Sequence, residues 1–360
     1  MTRPARVVID LKAVRSNLQT VKQYAPARKV MAIIKADAYG HGLERIAKQL
    51  NEADAFGVAC LEEAVRLRNA GITKTIILLE GFFSKEELIQ LSDLNIQTVV
   101  HQLDQLEMIE ELPTEKAVNV WLKIDTGMHR LGFDLDFIQS IYKRLKQASG
   151  AKDKIRLMTH FASAQEHDPV SVESQLKNFT EIVANLEGEH CLANSSAIID
   201  WPTSHGDWVR PGLMLYGVSP FADRTAEDLG LQPVMSLQSE LISVKQAKKG
   251  DKVGYGGTWE CPEDMLIGVV AMGYGDGYPR HAQPGTPMLI NGELAHLIGR
   301  PSMDMLTVDL RVCPEAKIGD DVILWGRELP IEEIARCAET IPYELLCGMR
   351  MRAQFVEING

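Results

Sequence analysis

Several features that would assign the chain to a specialised class are missing. The six cysteines are scattered and none forms a Cys-x-x-Cys pair, which argues against a zinc framework or a disulfide scaffold and favours reduced thiols. No apolar stretch approaches the roughly 18 residues of a membrane span. The opening MTRPARVVIDL lacks the apolar core of a signal peptide. We therefore expect a cytoplasmic protein that does not interact with membranes.

Positive charge is also scarce. Lys and Arg number 38 against 49 Asp and Glu, so the net charge is −11 and the pI is near 5.4. Because phosphate contacts need a basic surface, this balance argues against a general nucleic-acid binder, although it allows a local cationic pocket for one small anion. The length of 360 residues, 45% of them apolar, is enough for two domains or for one large barrel with an appendage.

Short apolar runs alternate with amphipathic segments in the first part of the chain. One of these segments begins with a capping box, in which Ser84 precedes Glu87 by three residues. About eight strand–helix units in roughly 220 residues predict a (β/α)₈ barrel over residues 1–230. An open doubly wound sheet is the alternative, but no Gly-x-Gly-x-x-Gly opens the first unit. The apolar runs lie at residues 7–9, 30–34, 56–59, 75–79, 97–100, 118–124, 155–159, 190–193 and 208–209 with 213–216.

The pattern changes after a polar linker at residues 221–233. Helical periodicity nearly disappears, and short β-rich runs separated by Gly and Pro turns follow. This pattern predicts a mostly antiparallel β domain over residues 231–360, with one helix at residues 331–338.

Lys35 ends the apolar run at residues 30–34 and is followed at once by a glycine-punctuated turn. The last residue of a barrel strand lies at the rim where ligands bind. Low-dielectric walls there lower the pKa of an amine, and a partly neutral amine condenses with a carbonyl. The alternative is an ordinary lysine that extends into water.

Other candidate residues also follow predicted strands. The set is cationic with hydroxyl groups, and it lacks the acidic clusters that hold Mg²⁺, so we expect an anionic ligand and no metal. Alternative roles stay open for several members: a helix cap for residues 194–196, a surface ion pair for Arg210, a satisfied core histidine for His160 and a solvated side chain for Arg130. The candidates are Lys123, Asp125, Arg130, His160, Asn194, Ser195, Ser196 and Arg210.

Two tyrosines in the β domain are flanked by glycines. Tyr255 lies in VGYGGTW and Tyr274 in MGYGDGYPR. Glycine neighbours expose a phenol and let another chain approach it. The alternative is a turn plugged by an aromatic ring.

Seven motifs in order along almost the whole chain carry a family resemblance. They are KADAYGHG at 35–42, LKIDTGMHRLG at 122–132, THFA at 159–162, DWVRPGLMLYG at 207–217, VGYGGTW at 253–259, MGYGDGYPR at 272–280 and SMDM at 302–305. With these motifs the chain resembles the alanine racemases, which are fold-type III pyridoxal-phosphate enzymes built from a (β/α)₈ barrel and a β domain.

The resemblance implies pyridoxal 5'-phosphate held as a Schiff base by Lys35, which would also be the base for D-alanine. Tyr255 would be the opposing base for L-alanine, donated by the second subunit of a head-to-tail homodimer. Arg130 and the Met303 amide are implied to bind the substrate carboxylate. Lys123, often carbamylated in relatives, is implied to orient Arg130.

Other residues match positions that line the cofactor or the site in this family. Tyr39, Ser195, Gly212 and Leu213 match phosphate contacts, Asn194 belongs to the cofactor set, Arg210 matches the residue facing the pyridine nitrogen with His160 nearby, and Tyr274 and Asp304 match groups at the entrance and site. Two bases on opposite faces can remove Hα from one side and return a proton to the other. We expect the cations His160 and Arg210 to lower the pKa of the tyrosine base.

The chain departs from the family pattern at two places. The tail LLCGMRMRAQF lacks the phosphate-binding tyrosine of many relatives, and His129 stands where some have a smaller residue. Two other functions remain open: a non-catalytic pyridoxal-phosphate carrier, which would need neither the β domain nor Tyr255, and a related decarboxylase or broad-range racemase. The sequence leaves open whether the role is the supply of D-alanine for peptidoglycan or alanine catabolism.

Overall fold

The computed structural model describes residues 3–152, 154–166, 168–349 and 351–360. The chain divides into two compact units. We call residues 17–38 and 42–215 the barrel unit, and residues 1–16, 39–41 and 216–360 the sheet unit. Within the described residues, no helix combines the length and the apolar character that crossing a bilayer requires.

The barrel unit is a closed barrel of eight parallel strands, which confirms the predicted fold class. The first strand pairs with the last through Lys29 with Trp208 and Val30 with Val209. Several strands are buried at every residue, which explains their continuous apolar sequences. In order, the strands are Lys29–Ile33, Ala55–Val58, Thr75–Leu78, Gln97–Val100, Val120–Lys123, Arg156–Met158, His190–Cys191 and Trp208–Val209.

Helices connect the barrel strands. The predicted cap is present: the Ser84 hydroxyl accepts a hydrogen bond from the Glu87 N–H at 3.2 Å, and the Glu87 carboxylate accepts from the Phe83 N–H at 2.8 Å. The helix Leu11–Tyr24 precedes the first barrel strand. The other helices of this unit are Leu43–Gln49, Leu61–Asn69, Lys85–Asp93, Leu103–Glu110, Ile138–Gln147, Pro169–Val183 and Ser195–Asp200.

The sheet unit contains an eight-stranded, mostly antiparallel sheet, as predicted. Its longest strand, Met235–Ala247, pairs antiparallel with Arg6–Asp10, Met265–Val270 and Asp321–Trp325. The remaining strands of this sheet are Pro287–Ile290, Glu293–Ile298, Leu306–Asp309 and Gln354–Ile358, and Lys252–Val253 pairs separately with Trp259–Glu260. The predicted late helix is present as Ile331–Cys337, and Pro342–Cys347 forms a second helix that the sequence did not indicate.

One predicted barrel strand belongs to the sheet unit instead. The run at residues 7–9 lies in the strand Arg6–Asp10, which pairs antiparallel with Met235–Ala247 and parallel with Gln354–Ile358. Its burial alternates, with Val7 and Ile9 buried and their neighbours partly exposed. Alternation is typical of a strand with one wet face, whereas a barrel strand is covered on both faces. Assigning this run to the barrel series was therefore wrong.

The chain enters the sheet unit at Tyr216, earlier than the predicted boundary after residue 230. Residues 216–234 turn back on themselves, since the Val234 N–H donates to the Tyr216 carbonyl at 3.1 Å. Gly217 has φ +71°, and a Cβ there would lie 1.7 Å from the Gln232 carbonyl oxygen. Only glycine allows this closure.

Candidate active site

A strained left-handed turn follows Lys35. Ala36, Asp37, Ala38 and Tyr39 have φ values of +53°, +53°, +55° and +52°. This conformation costs a residue with a side chain about 1–2 kcal/mol, so four in succession persist only where the surroundings impose them. The strain begins directly at the predicted cofactor lysine.

Side chains of the helix Leu61–Asn69 and the backbone of Leu43 hold this turn in place. The Asp37 carboxylate accepts hydrogen bonds from the Leu43 N–H at 3.1 Å and from Arg66 Nη2 at 2.7 Å. The Asp37 N–H donates to Glu63 Oε1 at 3.2 Å, and Glu63 Oε2 accepts from the Ala59 N–H at 2.9 Å. These contacts fix the backbone that carries Lys35, and no sequence motif predicts them.

Lys123 ends the strand Val120–Lys123 and is buried, with 7% of its surface exposed. Burial is the largest cause and the nearby cations Arg210, Arg130 and Lys35 act in the same direction, so that together they lower the pKa of its amine to about 7. A substantial fraction of the amine is therefore neutral at neutral pH. Because Arg210, Arg130 and Lys35 all act on the charge of Lys123, these four predicted site residues of the barrel unit lie near one another.

Arg210 is the most highly coordinated of these cations. Nη1 donates to the Cys191 carbonyl at 2.8 Å and to the Cys191 Sγ at 3.2 Å. Nη2 donates to the carbonyls of Thr159 at 2.8 Å and Leu192 at 3.0 Å, and to His160 Nδ1 at 3.2 Å. The described part of the chain supplies no acceptor for Nε–H. A buried guanidinium is thus held rigidly with one donor left for a ligand.

His160 is neutral rather than cationic. Burial lowers its pKa well below the ordinary value, with Arg210, Lys123 and Arg130 acting in the same direction. Because Arg210 donates to Nδ1, that nitrogen is the acceptor and we assign the ring proton to Nε2. The expectation that His160 supplies positive charge to a tyrosine base is therefore wrong, and Arg210 is the cation of this pair.

Asn194 and Ser195 begin the helix Ser195–Asp200. The Asn194 side chain caps it by accepting from the Ala197 N–H at 3.1 Å. The Ser195 oxygen accepts from the N–H groups of Gly212 at 2.9 Å and Met214 at 3.4 Å. A hydroxyl that accepts two bonds keeps its own proton for another partner. Leu213 opens the 3₁₀ turn Leu213–Tyr216, whose first N–H groups lack acceptors inside the turn.

Arg130 lies beyond a tight loop and is exposed. The Asp125 carboxylate organises that loop by accepting from the N–H groups of Gly127 at 3.0 Å and His129 at 3.1 Å. His129 has φ +55°, and its side chain is 83% exposed. Arg130 forms no ion pair with any described residue, so its charge is available to an anion.

The remaining predicted residues lie in the sheet unit. Tyr255 is 72% exposed on the 3₁₀ turn Tyr255–Gly257, and Met303 is 52% exposed. The Tyr274 N–H donates to the Ser302 carbonyl at 3.0 Å, which ties the loop of Tyr274 to that of Met303 and Asp304.

Tyr39 packs between two other tyrosines of the sheet unit. Its ring lies 4.7 Å from that of Tyr216 and 5.7 Å from that of Tyr343. Burial raises the pKa of Tyr39, with Tyr343 and Cys347 acting in the same direction, and burial raises the pKa of Tyr343 to about 12. Both phenols stay protonated and able to donate. Tyr343 was not predicted from the sequence, because it lies two residues before the tail at 345–355.

The described residues form no metal centre. Among the residues that the structure describes, no three His, Cys, Asp or Glu side chains converge on a point that would hold a metal ion. In the barrel unit, predicted site residues form a cationic group at the strand ends, and in the sheet unit Tyr255 and Met303 are exposed whereas Tyr39 is buried.

Comparison with known proteins identifies this combination of units. Residues 9–220 match the model for the alanine racemase N-terminal domain, and residues 234–357 match the model for the C-terminal domain. The alanine racemase of Vibrio parahaemolyticus is 49% identical over 352 residues, which cover 98% of each chain. The biosynthetic alanine racemase of Escherichia coli K12 is 49% identical over 349 residues, which cover 97% of each.

Solved structures agree. The fold matches the biosynthetic alanine racemase of Pseudomonas aeruginosa with a TM-score of 0.96 and 43% identity, covering 99% of this chain and 100% of that one. It matches the alanine racemase of Acinetobacter baumannii with a TM-score of 0.95 and 38% identity, with the same coverage of both chains. On sequence, domain content and fold, the chain belongs to the alanine racemase family.

Proposed function

We propose that the protein interconverts L- and D-alanine with pyridoxal 5'-phosphate as its cofactor, through two bases on opposite faces of the substrate. The observation that carries this proposal is the end of the barrel, where Lys35 follows a buried strand and shares its surroundings with Lys123, Arg130 and Arg210. A cationic, partly buried site of this kind suits a phosphate together with a carboxylate.

The donors of the barrel unit fit the proposed cofactor. The Nε–H of Arg210 suits the pyridine nitrogen, and because arginine stays protonated it leaves that nitrogen without a proton. The Ser195 hydroxyl and the turn that opens at Leu213 suit the phosphate, and we propose Tyr39 as a further phosphate contact. When bound, pyridoxal phosphate withdraws electrons from Cα of the amino acid and so acidifies its hydrogen.

In this proposal, two residues of the protein move protons at Cα, one on each face of the substrate. Lys35 holds the cofactor and moves the proton at Cα on the D face. Tyr255 of a second copy moves the proton on the L face, which agrees with its exposure on a glycine-flanked turn. A phenol is a poor base at its ordinary pKa near 10, so it needs nearby positive charge. Arg210 supplies that charge, and the neutral His160 links it to the phenol as a hydrogen-bonding group.

Arg130 and the Met303 N–H bind the substrate carboxylate in this proposal. Arg130 is exposed and unpaired among the described residues, and Met303 is 52% exposed. The Met303 loop lies in the same unit as Tyr255, so the active form is a homodimer in which each sheet unit completes the site of the other copy.

The alternative function as a pyridoxal-phosphate carrier explains a smaller part of the chain. A carrier built on the barrel alone has no need of residues 234–357, which match the family's C-terminal domain. We propose a cytoplasmic location because the cysteines are scattered and form no Cys-x-x-Cys pair, a pattern typical of reduced thiols. We infer a role in supplying D-alanine for peptidoglycan, since two of the relatives are named biosynthetic.

Exchange of the Cα hydrogen tests the two-base assignment. With the purified, cofactor-loaded protein in deuterium oxide, we expect both alanine enantiomers to take up deuterium at Cα. In Tyr255→Phe, exchange of L-alanine should be lost while exchange of D-alanine persists, because only the L-face base is missing. Lys35→Ala should lose both exchanges and also the visible absorption that borohydride bleaches.

A matched control is available in the barrel unit. Tyr142 donates its hydroxyl to the Glu187 carbonyl at 2.8 Å on a helix surface, so Tyr142→Phe should leave both exchanges intact. Failure of the wild-type protein to exchange either enantiomer would contradict the proposed activity. Loss of both exchanges in Tyr255→Phe would contradict the division between the two faces.

A further inference from the structure

Asp276 is the one acidic side chain of the GYGDGY loop, and it is completely buried. A buried carboxylate is costly unless it is paired and hydrogen-bonded. Its Oδ1 lies 2.7 Å from Arg3 Nη1 and 3.4 Å from Arg352 Nε, and its Oδ2 accepts from the Gly273 N–H at 2.9 Å. Neither the predicted site nor the proposed mechanism uses this group.

The two arginines come from opposite ends of the chain, and both also bind Asp304. Arg3 Nη2 donates to the Asp304 carbonyl, and Arg352 Nη2 donates to the Asp304 carboxylate. Asp276 is thus the hub of a clasp, by which we mean Asp276, Arg3, Arg352 and Asp304. The clasp joins the loop at residues 273–278 to the loop at residues 302–305.

The two loops meet backbone to backbone. The Tyr274 N–H donates to the Ser302 carbonyl at 3.0 Å, and the Gly275 N–H donates to the Met303 carbonyl at 2.9 Å. A Cβ on Gly273 would lie 2.4 Å from the Met303 carbonyl carbon, so a side chain there would force the loops apart.

This contact fixes the direction of one particular donor. The Ser302 carbonyl and the Met303 N–H belong to the same planar trans peptide, so they point in opposite directions. Because Tyr274 holds the carbonyl on one side, the Met303 N–H faces away from the 273–278 loop. Rotation of that peptide would break the Tyr274–Ser302 hydrogen bond, which lies between the two loops that the clasp joins.

We propose that Asp276 is a positioning residue for substrate binding: through Arg3 and Arg352 it fixes the Met303 N–H that receives the alanine carboxylate in the site of the second copy. This inference rests on the proposed function. Asp276 touches no reacting atom, and it acts by holding the 302–305 loop against the 273–278 loop.

The expected signature is a split between KM and kcat. In Asp276→Asn the carboxylate charge is lost at nearly constant volume, and we expect KM for both enantiomers to rise roughly tenfold, equivalent to about 1.4 kcal/mol. The two bases keep their places, so kcat should stay within about twofold. A purely structural role would lower the thermal unfolding midpoint and leave KM unchanged.

A milder variant and a matched control keep the test interpretable. Arg352 is 42% exposed, so Arg352→Gln should fold even if Asp276→Asn does not, and it should raise KM in the same direction. Arg311 is 40% exposed in the same unit and pairs with Glu263 and Asp309, each at 2.7 Å, so Arg311→Gln should leave KM unchanged.

Mixed dimers show in which copy the clasp acts. A dimer of one Lys35→Ala chain and one Asp276→Asn chain, purified through two different tags, has one site that combines the intact Lys35 with the intact clasp of the other copy. That dimer should show the wild-type KM. A raised KM in the mixed dimer, or an unchanged KM in both Asp276→Asn and Arg352→Gln, would overturn the proposal, whereas an inactive wild-type protein would overturn the proposed function.

Discussion

Arg210 in the barrel unit and Asp276 in the sheet unit are both buried charges, but they are compensated differently. Arg210 is surrounded by backbone carbonyls, a thiol and a neutral imidazole, which are dipoles without net charge. Asp276 is surrounded by two guanidinium groups and a backbone N–H. The first arrangement retains its positive charge, and the second cancels the negative charge that it buries.

This difference in charge compensation distinguishes a site that can bind a ligand from a group of side chains that holds two loops together. Uncancelled charge at the barrel end lowers the pKa of Lys123 and of His160, in addition to the effect of burial, and it leaves the region prepared for an anion. Cancelled charge in the clasp needs no ligand and serves to fix two loops. Each of the following changes breaks or sharpens this contrast.

Removing the barrel charge should have the largest effect. In Arg210→Gln, two amide hydrogens replace five N–H donors, so buried carbonyls of Thr159, Cys191 and Leu192 lose partners. We expect the free energy of unfolding to fall by about 3 kcal/mol. The pKa of His160 should rise toward its ordinary value because a neighbouring cation is gone. Urea unfolding and an NMR titration of the His160 ring measure the two effects.

Arg68 provides the matched control for this experiment. Its guanidinium also binds four backbone carbonyls, those of Ile72, Lys74, Leu94 and Asn95, at 2.7–3.0 Å. Arg68→Gln should therefore lower stability without moving the pKa of His160. An equal pKa change in both variants would mean that loosened structure, rather than lost charge, controls the imidazole.

The pH dependence of stability should come next in size. The pKa of Lys123 is about 7 in the folded protein and near its ordinary 10.5 in the unfolded chain, so the unfolded state binds more protons between these values. The free energy of unfolding therefore gains a contribution that grows as pH rises from about 7 to about 10.5, by on the order of 1 kcal/mol per pH unit. Lys123→Met should lose this contribution.

Urea unfolding between about pH 7.5 and 9.5 measures this slope. The buffers must be free of CO₂, because a neutral amine reacts with CO₂ and acquires a charge. Lys177→Met is the control, since Lys177 is 72% exposed and should keep the wild-type slope. Identical slopes in the wild type and in Lys123→Met would show that Lys123 is charged in the folded state.

The same comparison explains what the sequence could predict. Lys35 and Lys123 each end an apolar run, and a barrel strand places its last residue at the ligand end, so local pattern and general topology locate them. The acceptors of Arg210 are carbonyls of residues 159, 191 and 192, which carry no side-chain signal. The neutral state of His160 follows from those contacts and was equally hidden.

The other features that the sequence did not predict depend on contacts between residues far apart in the chain. Val7 pairs with Leu237, and nothing near residue 7 indicates that partner. The clasp joins Arg3 and Arg352 through Asp276, and each of these residues alone resembles an ordinary surface charge. The left-handed turn after Lys35 also lacks a local signal, because Ala-Asp-Ala-Tyr contains no glycine to announce positive φ.

The left-handed turn after Lys35 also differs from the turn at Tyr255 in its backbone conformation. Around Tyr255, positive φ falls on glycines, with +74° at Gly254, +77° at Gly256 and +53° at Gly257. After Lys35 it falls on residues with side chains, so this turn stores strain that the glycine-flanked turn at Tyr255 avoids.

Ala36→Gly should release part of this strain and gives the smallest expected effect. Relief of about 1–2 kcal/mol in the folded state is offset by about 0.5–1 kcal/mol of added chain entropy in the unfolded state, so the free energy of unfolding should rise by roughly 0.5–1 kcal/mol. Ala184 is also exposed but has the right-handed φ of −51°, so Ala184→Gly should lower stability instead. Opposite signs measured by urea unfolding would locate the strain in the turn, and equal losses in the two variants would show that the turn is relaxed.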